Sequence, residues 1–290
     1  MHMWQNRYKT VTDGTMKKFG LIGHPISHSL SPALFNAAFG GKYTYDLIEE
    51  ADFEKAYDRF LDEYDAVNVT APFKEKAFAA AGVSTGECRA VGAANILMKG
   101  ADGVSAANSD IMGVTGALEA CGVRRDSRGT ALVVGCGGAA MAAVYAMALV
   151  MGHETYVINR NMEKAMDFAA RMKTETGACV HVAPLGEFRR LFREADVIIY
   201  TLPVALAEIS SLTSRDLRGG SFLRKKTKVV LEANYKDPAF TPDLMEKMRR
   251  ANPSLSFVSG KEWLLYQAVG AYGYFVDDRP DIERMREILY

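Results

Sequence analysis

The stretch from Thr130 to Arg160 constrains the fold of this 290-residue chain more than any other. It opens with the apolar run ALVV, which is typical of a strand buried on both faces of a sheet. The glycine-rich turn Gly135-Cys136-Gly137-Gly138-Ala139 comes next. An Ala- and Met-rich run, which predicts a helix packed closely on a sheet, then leads into a second apolar strand. Strand, glycine turn, helix and strand in this order predict a βαβ unit of a doubly wound, parallel α/β domain.

Further strands and helices on both sides of this segment predict two α/β domains. Apolar runs at 196–201 and 228–233 extend the same domain. Strands separated by helices are also predicted before residue 110, which indicates a second, largely parallel sheet. Its strands are expected at 17–23, 43–49 and 66–70, and its helices from Ser31-Pro32 and over about 52–64. Helical patterns return after Gly260.

The length of the chain suits this organisation, because 290 residues are long for one compact core and sufficient for two. We expect a polar tail over 1–15 and a first domain over 16–110 that is completed by 261–290. The second domain is expected over 111–260.

The charge balance excludes several classes of protein. Lys+Arg and Asp+Glu both number 35, so the net charge is zero, which argues against a general nucleic-acid-binding protein. No apolar run approaches the roughly 18 residues of a membrane span. The amino-terminal segment also lacks the apolar core of a signal peptide. We therefore expect a cytoplasmic protein that binds neither nucleic acid nor membranes.

The cysteines and histidines show no spacing typical of a metal site. No two cysteines form a C-x-x-C pair, and no cysteine clusters with a histidine. We expect no metal, and reduced, mostly buried thiols at Cys88, Cys121, Cys136 and Cys179.

A glycine turn between a strand and a helix is a typical anion-binding element. Its small residues let the backbone approach a pyrophosphate, while the helix N–H groups and dipole face that anion. A glycine cluster alone is often only a turn, but this strand–turn–helix context predicts dinucleotide binding. The residues predicted to take part are Gly135, Gly137, Gly138 and Ala139.

The end of the second strand indicates which dinucleotide is bound. NAD sites usually carry an acidic residue there that binds the ribose hydroxyls. This chain has Asn159-Arg160-Asn161 instead, with Lys164 one turn further on. Arg160 and Lys164 suit a 2′-phosphate, which predicts NADP in preference to NAD. The alternative is that they are the solvated basic start of a helix.

Eight segments, spread in order over about 17–267, resemble the motifs of the shikimate dehydrogenase family. The first domain carries GLIGHPISHSLSPALFNAAF, NVTAPFKE, VGAANIL and AANSDIMG, and the second VVGCGGAA, INRNMEKA, EANYKDPAFTPDL and GKEWLLYQA. The resemblance implies an α/β substrate domain, a Rossmann-like NADP-binding domain and an active site in the cleft between them. The implied activity is the reversible, NADPH-dependent reduction of 3-dehydroshikimate to shikimate in aromatic amino-acid biosynthesis.

The resemblance also implies the roles of individual residues. Lys74 and Asp110 would be catalytic, and Ser29, Ser31 and Tyr235 would bind the substrate carboxylate. The remaining substrate-binding residues would be Asn68, Thr70, Asn95 and Gln267, and the dinucleotide would also contact Asn159, Arg160, Lys164, Leu202 and Gly260. Such roles fit the chemistry, because a lysine beside an aspartate can donate to a carbonyl oxygen that becomes an alkoxide. The sequence leaves open whether Lys74 transfers the proton or only polarises and orients the carbonyl.

Taken singly, each of these residues has a structural explanation. Ser29 and Ser31 would be a turn and a helix cap before Pro32. Lys74 would be a surface lysine, Asn68 and Asn95 turn residues, Gln267 a polar helix position and Tyr235 a core residue. Only their joint order in the motifs favours the functional interpretation.

The chain departs from the family pattern at several positions. Phe35 replaces a common histidine, Ile111 a glycine after the aspartate, and Asn161 a hydroxyl residue. In the stretch that passes near the nicotinamide, Tyr200-Thr201-Leu202 replaces Asn-Ala-Thr, and Ala205 replaces a glycine.

Two alternative functions remain open. One is a quinate/shikimate dehydrogenase, or a paralogue, that uses NAD. The other is a non-catalytic ligand sensor on the same fold, against which Lys74 and Asp110 argue because a sensor needs no proton donor. The small-molecule substrate is the expected partner, and the protein would be a monomer or homodimer.

Overall fold

The computed structural model describes residues 17–125, 128–218 and 228–290, and contacts within the chain divide it into two compact units. Among the described residues, the first unit comprises 17–110 together with Leu265–Tyr290, and the second lies between Ile111 and Leu264. The chain thus re-enters the first unit at Leu265, slightly later than the boundary expected at 261. The predicted polar tail over 1–15 lies outside the described residues.

Twelve strands and thirteen α-helices are formed by the described residues. The strands are β1 (Lys18–Gly23), β2 (Thr44–Glu49), β3 (Ala66–Val69), β4 (Val83–Ser84), β5 (Ile96–Gly100), β6 (Gly103–Ala107), β7 (Thr130–Val134), β8 (Glu154–Asn159), β9 (Val180–Pro184), β10 (Val197–Tyr200), β11 (Lys228–Glu232) and β12 (Leu255–Ser259). The helices are α1 (Ser31–Phe39), α2 (Phe53–Glu63), α3 (Lys74–Ala80), α4 (Gly86–Val91), α5 (Asp110–Ala120), α6 (Gly138–Tyr145), α7 (Met162–Thr176), α8 (Phe188–Glu194), α9 (Ala207–Ser210), α10 (Ser214–Arg218), α11 (Pro242–Ala251), α12 (Gly260–Phe275) and α13 (Ile282–Leu289). A π-helical segment, Ala146–Val150, extends α6, and a 3-10 turn, Leu185–Glu187, precedes α8.

The sheet of the first unit is largely but not wholly parallel. Its strand order is β2-β1-β3-β5-β6-β4. The three strands predicted from the sequence, β1 to β3, pair in parallel, whereas β5 runs antiparallel to both β3 and β6. Hairpin β5–β6 turns tightly at Gly103, whose φ of +106° favours glycine. Because β4 pairs in parallel with β6, three of the five pairings are parallel; the sheet is largely parallel as expected, and the exception is strand β5.

The helices of the first unit bury one face each. In α2, Asp52 caps the helix by accepting a hydrogen bond from the backbone N–H of Glu54, as N-cap residues do. Phe53, Ala56 and Phe60 then recur at the spacing of one helical face, and all three are buried against the sheet. This patterning is why the sequence places α2 within one residue of its observed ends.

A cluster of aromatic rings fills the other side of the first unit. Its members are Phe19, Phe35, Phe39, Tyr43, Tyr45, Tyr272 and Phe275. Phe35, which replaces the family's histidine, is buried at its centre, with its ring centroid 4.7 Å from that of Tyr45 and 4.8 Å from that of Tyr272. An imidazole there would have to pair its ring nitrogens inside an apolar cluster, whereas phenylalanine has no polar group to satisfy.

The second unit has a wholly parallel sheet of order β12-β11-β10-β7-β8-β9. Counted from β7, the order is 3-2-1-4-5-6, which is that of doubly wound dinucleotide-binding domains. The order reverses between β7 and β10. Ligands of such sheets bind beyond the carboxyl ends of the strands at this reversal. A ligand of the second unit is therefore expected at the turns after β7 and β10.

The four cysteines are all free thiols, but they are not mostly buried as expected. Cys88 is buried, and burial raises the pKa of its thiol to about 12. Cys121 and Cys136 are partly buried, while Cys179 is exposed because it follows the last turn of α7 at the surface. Within the described parts of the chain, no helix is both long and apolar enough to cross a membrane.

Candidate active site

Lys74 and Asp110, which lie on separate segments of the sequence, form an ion pair in the first unit. The Lys74 ammonium lies 2.8 Å from Asp110 Oδ2. Each residue is the first of a helix, Lys74 of α3 and Asp110 of α5. The side chain of Lys74 remains 31% exposed and that of Asp110 14% exposed, so a ligand can reach the ammonium group while the carboxylate stays largely enclosed.

Asn95 supports the aspartate from within the core. It is only 1% exposed, and its Nδ2 donates to Asp110 Oδ1 over 3.2 Å. Its Oδ1 accepts from the backbone N–H of Ser109 over 2.8 Å, which fixes the orientation of the amide. The Asp110 backbone N–H in turn donates to Asn108 Oδ1. With both oxygens of Asp110 engaged and its backbone held, the carboxylate has one position from which to orient Lys74.

The two serines lie together at the start of α1. Ser29 Oγ is 3.1 Å from Ser31 Oγ and accepts the backbone N–H of Ser31 over 3.2 Å. Helix α1 begins at Ser31 itself, with Leu30 in the capping position, so Ser31 is not the side-chain cap that the structural explanation required. Ser29 does bind a backbone N–H of the first turn. Its hydroxyl therefore has a structural role whether or not it also binds a substrate.

Tyr45 is a member of the site that the motifs did not identify. Its hydroxyl donates to Asn68 Oδ1 over 2.8 Å. Asn68 Nδ2 donates to the backbone carbonyl of Asn95 over 3.2 Å. Burial raises the pKa of Tyr45 well above its usual value, so this hydroxyl is neutral at physiological pH. Tyr45 is thus connected through Asn68 and Asn95 to the Asp110–Lys74 ion pair.

For three further residues expected at the substrate site, the structure gives a position in the fold but no side-chain contact with the Lys74–Asp110 pair. Thr70 follows β3, and its backbone N–H donates to the Ile22 carbonyl, which brings the end of β3 beside β1. Gln267 lies on α12 in the first unit and is partly buried. Tyr235 lies in the second unit, on the segment that follows β11, and is also partly buried. Their assignment to the substrate remains a prediction.

In the glycine turn of the second unit, the backbone conformation requires glycine at one position. Two further glycines leave room for a ligand beside the helix. Gly135 has a φ of +113°, and a side chain there would come within 2.5 Å of Thr201 Oγ1. At Gly137 and Gly138, at the start of α6, no side chain or more distant backbone atom of the described residues lies within 4 Å of where a side chain would begin. The space in front of the helix N–H groups is therefore open to an anion, as the sequence predicts.

The basic residues after β8 stand at the surface close to this turn. Arg160 and Lys164 are both exposed. The charge of Lys164 is near enough to the turn to lower the pKa of Cys136, although burial raises that pKa more. Asn161 caps α7 by accepting the backbone N–H of Lys164 over 2.9 Å. The residue that replaces a hydroxyl in the family pattern therefore has its side-chain oxygen engaged in the helix.

Two other positions expected to contact the dinucleotide have structural partners. Leu202, on the segment after β10, packs partly against the core of the second unit. At Gly260, a side chain would come within 2.2 Å of the Ala233 carbonyl, so only glycine fits at the start of α12. Close packing explains Gly260 without a ligand, and its contact with the dinucleotide remains a prediction.

Comparison with known proteins identifies relatives of the whole chain. A family model of the shikimate dehydrogenase substrate binding domain matches residues 21–97, and one described as shikimate/quinate 5-dehydrogenase matches residues 122–215. Shikimate dehydrogenase (NADP(+)) of Caulobacter vibrioides strain NA1000 is 34% identical over 273 residues, 87% of each chain. Its namesake from Anaeromyxobacter sp. strain K is 35% identical and covers 89% of this chain and 90% of the relative.

A solved structure extends the comparison to three dimensions. The crystal structure of shikimate 5-dehydrogenase from Thermus thermophilus, in complex with NADP(H) and shikimate, matches with a TM-score of 0.75. It is 26% identical and covers 94% of this chain and 98% of the other.

Strand order, glycine turn and lysine–aspartate pair together define the class of protein. The second unit is a doubly wound dinucleotide-binding fold, and the first unit is an α/β domain with a polar, partly enclosed group of side chains. Within that class, the matches over both units show that the chain belongs to the shikimate dehydrogenase family.

Proposed function

We propose that this protein is an NADP-dependent shikimate dehydrogenase, which reversibly reduces 3-dehydroshikimate to shikimate in aromatic amino-acid biosynthesis. The observation that carries the proposal is the Lys74–Asp110 ion pair, held at 2.8 Å and supported by the buried Asn95. The family membership of the chain and the names of its relatives support the same reaction.

The glycine turn and the basic residues after β8 fit the dinucleotide. The open space at Gly137 and Gly138 admits a pyrophosphate against the first N–H groups of α6. Arg160 and Lys164 offer exposed cations to a 2′-phosphate. Position 159, where NAD sites carry an acidic residue that binds the ribose hydroxyls, is an asparagine in this chain. When bound, NADPH supplies the hydride.

Lys74 acts on the oxygen of the reacting carbonyl. Its ammonium donates a hydrogen bond to that oxygen and transfers a proton to it as negative charge develops. Asp110 keeps the ammonium in place through Oδ2, while Asn95 prevents the carboxylate from turning away. In the direction of shikimate oxidation, Lys74 accepts the proton from the hydroxyl.

Ser29 and Ser31 bind the carboxylate of the substrate. Neutral hydroxyls donate to a carboxylate without bringing a second cation beside Lys74. Ser29 Oγ donates to Ser31 Oγ over 3.1 Å, so the two hydroxyls lie side by side, and both can rotate to donate to one carboxylate. Asn68, which bonds to Tyr45, offers its remaining amide proton to a substrate hydroxyl.

The proposal is tested by the oxidation of NADPH in the presence of 3-dehydroshikimate. Lys74→Ala should lower kcat by about 10²- to 10⁴-fold, because a positioned proton donor is worth that much, while KM changes little. Lys76→Ala is the matched control, since Lys76 is an exposed lysine of the same helix, and it should keep the parental kcat.

A parent protein that binds the acid and NADPH without turnover would be the ligand sensor considered above. A Lys74→Ala variant with near-parental kcat would instead remove Lys74 from the mechanism and leave the reaction without its assigned proton donor.

A further inference from the structure

The hydroxyl group of Thr201 is bound to the residue that precedes the glycine turn of the second unit. Thr201 follows β10, whose last residue, Tyr200, pairs with Val134 at the end of β7. Thr201 Oγ1 donates to the Val134 carbonyl over 2.8 Å, and the Thr201 backbone N–H donates to the same oxygen over 3.0 Å. Both lone pairs of this carbonyl are therefore engaged by one residue.

The peptide group that joins Val134 to Gly135 is also held at its other polar atom. The Gly135 N–H donates over 2.8 Å to the carbonyl of Ile158, which belongs to β8. The carbonyl and the N–H of this group thus bond to the two neighbours of β7, one on each side. Because a peptide group is planar, fixing both of its polar atoms fixes the direction in which the chain enters the turn.

This restraint matters because the turn is rich in glycine, the residue that loses most conformational freedom when it is ordered. Gly137 and Gly138 leave open space at the start of α6. At Gly135, by contrast, Thr201 Oγ1 and the Leu202 side chain lie within 2.5 and 3.1 Å of where a side chain would begin. The two residues after β10 therefore enclose the turn at its first glycine and leave it open where α6 begins.

We propose that Thr201 is a positioning residue for the dinucleotide, whose hydroxyl holds the glycine turn in the conformation that presents the first N–H groups of α6 to the pyrophosphate. The proposal rests on the proposed function. A turn that is already ordered loses less freedom when the ligand binds, so affinity rises without any contact between Thr201 and the ligand. NADP and NAD share the pyrophosphate, so the effect is the same for both, in contrast to that of Arg160.

The test compares a variant without the hydroxyl with one that keeps it. Thr201→Ala introduces the alanine of the family pattern, and Thr201→Ser retains the hydrogen bond. Isothermal titration calorimetry with NADP⁺ and with NAD⁺ measures binding without turnover. Thr201→Ala should raise both Kd values about three- to tenfold, the value of one neutral hydrogen bond, and Thr201→Ser should stay within about twofold of the parent. KM for shikimate should not change in either variant.

Thr155→Ala is the matched control for a general loss of stability. The Thr155 hydroxyl also donates to a backbone carbonyl, that of His153, but it lies at the start of β8, at the opposite end of the sheet from the turn. Its loss should leave both Kd values unchanged.

Four results would overturn the inference while leaving the proposed function intact. Thr201→Ala could bind both dinucleotides as the parent does, or lose affinity for NADP⁺ alone. Thr201→Ser or Thr155→Ala could lose as much affinity as Thr201→Ala. A parent that binds neither NADP⁺ nor NAD⁺ would overturn both the inference and the proposed function.

Discussion

Arg160 is the residue on which the choice of dinucleotide depends most. It follows β8 directly and is exposed beside the glycine turn, with Lys164 as a second cation. Asn161 adds little to anion binding, because its side-chain oxygen accepts the backbone N–H of Lys164. A guanidinium group can bind two phosphate oxygens at once, whereas a bare ribose offers it no charge to neutralise.

Arg160→Ala should therefore lower kcat/KM for NADP⁺ by about ten- to hundredfold, the value of one charge-assisted hydrogen bond, and affect NAD⁺ much less. Lys173→Ala is the control, because Lys173 is an exposed cation in the last turn of the same helix, away from β8. Steady-state kinetics with both dinucleotides gives the result. An equal loss for NADP⁺ and NAD⁺ would mean that Arg160 does not bind the 2′-phosphate.

The residues of the site differ in whether the sequence alone can predict them. The roles assigned to Lys74 and Asp110 came from their motifs, and the structure places their side chains 2.8 Å apart. Tyr45 could not be found in this way, because Tyr43 and Tyr45 have the same chemistry and point to the same cluster. What separates them is the partner of each hydroxyl, Asp278 or Asn68, and those partners come from distant parts of the sequence.

At the scale of elements, the segments after β10 and β11 are held by side chains at the strand ends. The Tyr200 hydroxyl donates to the Val204 carbonyl over 2.6 Å and accepts the Leu206 N–H over 3.1 Å. The buried carboxylate of Glu232 accepts the backbone N–H groups of Ala239 and Phe240. Tyr200, which stands where the family has asparagine, thus holds in place the segment that carries Leu202.

Tyr200→Phe should loosen that segment, because it leaves the Val204 carbonyl and the Leu206 N–H without their partner. If Leu202 contacts the nicotinamide, as the family pattern implies, KM for NADP⁺ should rise about three- to tenfold. Tyr156→Phe is the control, since the Tyr156 hydroxyl donates to the exposed Glu154 on β8. Equal KM values in the two variants would show that the Tyr200 hydroxyl does not organise the cofactor site.

The stability of Tyr200→Phe in alkaline solution provides a second test. Burial raises the pKa of Tyr200 from 10.0 to about 12, so the unfolded chain loses this proton at lower pH than the folded chain. The stability due to the neutral hydroxyl is present below about pH 10 and is lost as the pH rises toward 12. The free-energy difference between parent and Tyr200→Phe, measured by urea denaturation, should therefore shrink between neutral pH and about pH 11.

Elements with clear start or stop signals are predictable from the sequence. The glycine turn between β7 and α6 predicts the start of that helix, and the helix predicted over about 52–64 lies within one residue of the observed ends of α2. Hairpin β5–β6 was missed, because the buried residues of β5 lie at its start and those of β6 at its end. Neither strand shows an alternation of two, and only their pairing reveals them.

At the scale of the whole molecule, the ordered motifs predict two α/β domains of one family, and family membership is confirmed by matches over both units. The strand order of the second unit agrees with the doubly wound fold expected from one βαβ segment. Motif order carries this information because each motif must follow its strand or helix. It does not carry the side-chain network of the substrate site, which depends on packing between elements.

The substrate and the dinucleotide are the central claim, and one comparison of rates tests both. We would measure kcat/KM for the oxidation of shikimate and of quinate, each with NADP⁺ and with NAD⁺, on the parent protein. The account predicts the highest value for shikimate with NADP⁺, because Arg160 and Lys164 favour the 2′-phosphate and the chain is similar to NADP-dependent shikimate dehydrogenases. A higher value for quinate with NAD⁺, or no turnover in any combination, would contradict it.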